Sequence, residues 1–116
     1  MTANDYQQQA MRTAAEGCRN LNNAGLGLTT EAGEIAKCIR KAMFHGEKLD
    51  ATRMFVKLGD LLWYAALTAE LIGSNLDEVM HANILKLWVR YPDGYPELNS
   101  KPEGSDDHDD CGSAVR

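Results

Sequence analysis

"KLGDLLWYAALTAELI", residues 57–72, decides the fold. Leu58, Leu61, Leu62, Ala65, Ala69 and Ile72 fall on one stripe at helical spacing. Trp63, Tyr64, Ala66, Leu67 and Leu71 cover much of the remaining surface. A helix that is apolar nearly all round is buried on more than one side, and in a chain of 116 residues that points to a partner subunit. One end of the stretch is polar. Lys57 and Asp60 are three positions apart, and Asp60 leads into the apolar line Tyr64, Leu67 and Leu71. A carboxylate at the edge of a buried surface is costly unless something positive lies beside it, either a metal ion or Lys57 one turn back.

Helical spacing continues outward in both directions, and no stretch alternates with period two. The central helix spans about residues 51–72, with Asp50 as its cap, and "HGEKLD" before it is a turn in which Gly46 can take the left-handed conformation. A second helix runs up to about Phe44 with Leu28, Ala32, Ile35, Ile39 and Ala42 on its core stripe. It begins either at Asn22 or only at Thr30, because Gly25 and Gly27 weaken its first turns. Asn20, Asn22 and Asn23 mark the break before it, and a first helix spans roughly Asn4 to Gly17. On the other side, "GSNLDEV" ends one helix and starts another, with Asn75 and Glu78 spaced as a capping box. That last helix ends before Pro92. The expectation is an all-α four-helix bundle, oligomeric, occupying residues 1–95.

Residues 96–116 read differently. They carry six acidic side chains against Lys101 and Arg116, and their Pro, Gly, Ser and Asp content predicts a disordered acidic tail. The whole chain has a net charge of −5, so the remainder is nearly neutral and has no basic stripe, which argues against nucleic-acid binding. No segment has the length of a membrane span, and the first residues lack the pattern of a secretory signal. Cys18, Cys38 and Cys111 are odd in number and widely spaced, which suits free thiols in a reducing compartment; a cytoplasmic protein is expected.

Three groups of polar residues stand on the inner helices. Glu31 and Glu34 share one face of the second helix, either as metal ligands or as a solvated edge. Asp60 is the buried-edge carboxylate on the third. Asn83, Lys86 and Arg90 form a polar line on the fourth, which is either solvated surface or a contact for an anionic ligand. Together they favour a phosphate-plus-magnesium site. His45 belongs to the turn, His81 to the surface, and Trp63 and Trp88 to packing; "DDHDD" is metal-like in composition only.

"GLTTEAGEIAKCIRKAMFHGEKLD", "KLGDLLWYAAL" and "DEVMHANILKLWVRYPDG", in that order, resemble the MazG-like nucleotide pyrophosphohydrolases, from about Tyr6 to Gly94. The resemblance implies an all-α homodimer, or dimer of dimers. It also implies magnesium and hydrolysis of nucleoside triphosphates to the monophosphate and pyrophosphate in nucleotide-pool cleaning; a deoxynucleotide as substrate and manganese as a substitute ion are further expectations. The family's ligands come from an ExxE followed by an ExxD. Glu31, Glu34 and Asp60 match three of those positions as metal and catalytic residues, and Asn83, Lys86 and, more loosely, Arg90 match substrate-binding positions. The remaining acidic position carries Lys57, so one ligand is replaced by a positive charge. Two further readings follow: a catalytically weakened nucleotide-binding member, and a dimeric helical interaction module without a ligand.

Overall fold

The computed structural model describes residues 1–94, so the expected acidic tail at 96–116 lies outside the described residues. Four α-helices form: α1 (Ala3–Met11), α2 (Leu21–Phe44), α3 (Ala51–Leu71) and α4 (Leu76–Arg90), with a short 3-10 turn at Glu16–Cys18 and no strand among the described residues. The chain divides into two compact units. One is Met1–Asp77, and the other begins at Glu78 and holds most of α4.

In the first unit, α3 packs along α2 and against α1. Helix α1 opens on a capping box, Asp5 N–H to Thr2 Oγ1 at 3.0 Å and Thr2 N–H to the Asp5 carboxylate at 2.8 Å. It ends at Met11, well short of the Gly17 that apolar spacing suggested. Side chains take its last carbonyls: Thr13 Oγ1 and Trp63 Nε1 donate to the Ala10 carbonyl, and Arg19 Nη2 donates to that of Met11 at 2.7 Å. The apolar spacing at Ala14 and Gly17 continues into a loop whose geometry is set by these bonds.

Helix α2 takes the earlier of its two possible starts. Asn20 caps it, accepting from Asn23 N–H at 2.8 Å, and the helix runs through both Gly25 and Gly27. Gly27 has a packing reason, since a Cβ there would fall into the ring of Tyr64 on α3. The expected core stripe of α2 needs a partial correction: Leu28, Ile35 and Ala42 are half-buried, but the stripe is not the most buried face. Ala24, Gly27 and Cys38 are buried, with Glu31 and Glu34 half-buried between them, while Ala32 and Ile39 are exposed. The face turned to α3 is the one that carries the acidic pair.

The turn after α2 places Gly46 at φ 65°, a left-handed conformation that suits glycine, and Asp50 caps α3 by accepting from Arg53 N–H at 2.9 Å. On α3 the expected stripe is borne out in part: Ala69 is buried and Leu61 and Ala65 are half-buried, but Leu58, Leu62 and Ile72 are exposed, and Ala66 and Leu67 beside the stripe are buried. The line expected from Asp60 through Tyr64 to Leu67 and Leu71 does turn inward. The core consists of Ala10, Met11, Ala24, Ala66, Leu67, Ala69 and Leu76, with Tyr6, Trp63 and Tyr64 packed against it. So many alanines let the helices approach closely, and few large side chains separate them. Buried Gln7 ties the ends together, donating to Glu70 at 2.8 Å and accepting from Leu76 N–H at 2.7 Å.

Gly27→Ala should lower the melting temperature, by about 1–3 kcal/mol of overpacking against Tyr64. Gly25→Ala, with open space around its Cβ, should be neutral or gain up to ~1 kcal/mol from helix propensity. Thermal unfolding followed by circular dichroism compares the two.

Candidate functional site

Because the α2 and α3 faces that meet are partly polar, their charged side chains must answer one another at the interface. Lys57, from the first half of α3, does so for two acids at once. Its Nζ lies 3.0 Å from Glu31 Oε2 and 3.2 Å from Asp60 Oδ2. The Asp60 contact is a hydrogen bond donated by Lys57. The approach to Glu31 is off a hydrogen-bond axis, so Glu31 Oε2, which has almost no solvent contact, faces a positive charge without an aligned donor. The Lys57 side chain is 21% exposed and that of Glu31 14%, whereas Asp60 is 45% exposed at the rim. Glu31 first and Asp60 second hold the ammonium above its ordinary pKa range.

Glu34 is turned elsewhere. Arg53, in the first turn of α3, donates to Glu34 Oε2 at 2.7 Å, and this bond is the main reason that the Glu34 carboxyl is held below its ordinary range. Glu31 and Asp60 border an open hollow of about 370 Å³ whose other walls are Trp63 and Tyr64. Trp63 donates its N–H to the Ala10 carbonyl and to Thr13 Oγ1, and its ring meets Tyr64 edge to face, so both rings are held by packing.

Of the residues singled out in the sequence, Glu31 and Asp60 therefore come together, through Lys57. Glu34 lies on the same face of α2 but is engaged by Arg53. Asn83, Lys86 and Arg90 lie on α4, half-buried, in the second unit. Two neighbours of the site were not foreseen. Tyr6 of α1 approaches the start of this line, its hydroxyl donating weakly to the Gly59 carbonyl at 3.5 Å. Its phenol is pushed above its ordinary range by burial first and by the charge of Asp60 second. Its nearness to Asp60 was not legible, since the two residues lie on different helices. Arg53 carried no signal, since its partner lies 19 residues away on another helix.

The carboxylates as arranged do not fit a shared divalent ion. Among the described residues no three acidic, histidine or cysteine side chains stand close enough to hold a metal. The position between Glu31 and Asp60, where a cation would bridge them, is taken by an ammonium. The oxygen ligands are of the hard type that magnesium prefers, but each is committed to a side-chain cation.

An all-helical domain with a carboxylate-lined hollow is the class that fold and site define. The family model of the MazG nucleotide pyrophosphohydrolase domain matches residues 19–95, about two thirds of the chain, and the chain belongs to that family. No curated protein and no solved structure matches it. Helix α1, which brings Tyr6 and Gln7, lies outside the matched residues. No helix among the described residues is long and apolar enough to cross a membrane.

Glu34 should titrate below its ordinary value of 4.5, and Arg53→Gln should move it back up. The sign follows from the depressed value: the pair stabilises the fold fully above the ordinary carboxylate range, and the contribution is lost as pH falls through the lowered pKa. Carboxyl-detected NMR titration of both proteins checks the shift.

Proposed function

We propose that this chain hydrolyses nucleoside triphosphates, preferentially deoxynucleotides, to the monophosphate and pyrophosphate, and that Lys57 holds its turnover low. Family membership supports the reaction. The observation that carries the brake is the ammonium of Lys57 bridging Glu31 and Asp60. In this reading the hollow beside Trp63 and Tyr64 receives the nucleotide. Glu31 Oε2, an acceptor without an aligned donor, is the group suited to draw a proton from an attacking water. Lys57 competes for that same oxygen, from 3.0 Å. Asn83, Lys86 and Arg90 are assigned to the substrate phosphates on their charge and hydrogen-bonding capacity and on the family resemblance. A homodimer is proposed as well, supported by apolar side chains left exposed on α2 and α3, among them Phe44, Phe55 at 78% and Leu62.

A second reading is magnesium-dependent turnover, with Glu31, Glu34 and Asp60 as ligands and manganese as a substitute. It is favoured by the buried Glu31 oxygen, which faces the Lys57 ammonium at 3.0 Å without an aligned donor. The ion would supply Lewis-acid chemistry, and Lys57 and Arg53 would have to release their carboxylates for it to bind.

Pyrophosphate release from the eight common nucleotides, with magnesium and with manganese, separates these readings. Under the first, the native chain is slow, and Lys57→Glu, which restores the family's acidic position, gains at least tenfold with magnesium. Under the second, the native chain is already fast and the substitution gains little. No release from either protein, with no rise in melting temperature on adding nucleotide, would leave a helical interaction module.

A further inference from the structure

Helix α1 lies outside the residues matched by the family model, yet its side chains hold the start of α4. The first N–H groups of an α-helix have no partner within it. In α4 the first two are taken by side chains 69 and 73 residues earlier in the chain. Leu76 N–H donates to Gln7 Oε1 at 2.7 Å, and Asp77 N–H donates to Asn4 Oδ1 at 3.1 Å. Asn4 and Gln7 are one turn apart on α1, so a single face of that helix serves both.

The Gln7 amide spends every group it has. Among the described residues it is the one buried polar side chain, 5% exposed. Its Nε2 donates to Glu70 Oε2 at 2.8 Å and, more weakly, to the Ser74 carbonyl at 3.4 Å, while its Oε1 takes Leu76 N–H. Only one orientation of the amide satisfies this set, with nitrogen toward the two acceptors and oxygen toward the N–H. One side chain of α1 thus joins the last turn of α3, the connection after it and the first residue of α4. Among the described residues Leu76 is also the one buried side chain of α4, and the first compact unit ends at Asp77. The bonds from α1 therefore stop where the second unit begins.

A cap supplied by the residue just before a helix moves with that helix and leaves its direction free. A cap supplied by a distant helix ties the two together. We propose that Gln7, with Asn4 beside it, is a positioning residue: through this joint α1 governs how α4 presents Asn83, Lys86 and Arg90 to substrate. At ~1.5 Å per residue, Lys86 stands roughly 15 Å along the helix axis from Leu76. A tilt of about 10° at the joint would carry it sideways by about 2.5 Å, more than a catalytic contact tolerates. The inference rests on the proposed function for what those three side chains bind; the joint itself rests on the bonds to Leu76 and Asp77.

The test reads two quantities on the full chain: amide hydrogen exchange by NMR, and the dissociation constant of a non-hydrolysable deoxynucleoside triphosphate with magnesium. Gln7→Met keeps the bulk of the side chain and removes the amide. It should speed exchange at least tenfold along α4 as far as Lys86, leave α2 within twofold, and weaken nucleotide binding at least fivefold. Asn4→Ala, at the half-buried edge of the joint, should move both readouts the same way by a smaller factor. The double variant Gln7→Glu/Glu70→Gln reverses donor and acceptor between α1 and α3 and keeps an acceptor for Leu76 N–H, at a helix N-terminus that favours negative charge. It should bring both readouts back toward native, which repair of packing alone would not do. Loosening of α4 by Gln7→Met in a native chain that binds no nucleotide would support the joint and overturn the proposed function. The inference is overturned if faster exchange stops at Leu76 and Asp77, if it spreads equally through α2, or if nucleotide binding survives Gln7→Met unchanged.

Discussion

The close approach of α2 and α3 places two acids and one lysine in the same seam, and the rest of the site follows from how they settle. Gly27 admits the ring of Tyr64, and small side chains such as Ala24 and Ala66 let the helices draw together. That closeness strips Glu31 of most of its water. A buried carboxylate left alone would be strongly unfavourable, and Lys57 meets it from the facing helix. The pairing is therefore better understood as a requirement of the packed interface than as a source of net stability. Replacing the trio with well-fitting apolar residues would satisfy the same interface.

The line of side chains from Lys57 through Asp60, Tyr64 and Leu67 to Leu71 was legible in the sequence because period 3.6 alone dictates it, and it lies inward as that period requires. The caps at Asn20 and Asp50 and the left-handed Gly46 were legible for the same reason: each depends on a few adjacent residues. The core stripes held only in part, with Ala69 buried and Leu28, Ile35, Leu61 and Ala65 half-buried. On α2 Ile39, and on α3 Leu58, Leu62 and Ile72, are exposed in the single chain although they belong to the most apolar faces, and the mixed faces beside them are packed. Hydrophobicity marks a face as needing cover and does not say whether the cover comes from the same chain. The end of α1 failed too, because Trp63 and Arg19, which take its terminal carbonyls, are distant in sequence or lie past the point where the pattern was still helical.

In the candidate site the alternatives for Asp60, a metal ion or Lys57, were both open from spacing alone, and the geometry places Lys57 beside it. That Lys57 also reaches Glu31 was not readable, since the register between two helices is set by Gly27 against Tyr64 and not by any local motif. Arg53 shows the same limit. Its nearness to Asp50 was implicit in the capping pattern, but its bond to Glu34 depends on where α3 starts relative to α2.

The sign of one side chain changes what such a seam can hold. Four carboxylates converging from two helices repel one another and remain separated or protonated unless a multivalent cation enters, so they form a site that is incomplete by construction. With a lysine in one of the four places, the repulsion becomes attraction, and the cluster closes on itself: Lys57 takes Glu31 and Asp60, and Arg53 takes Glu34. An ammonium cannot supply the open coordination positions of a metal ion, and it has only three donors to share among its partners.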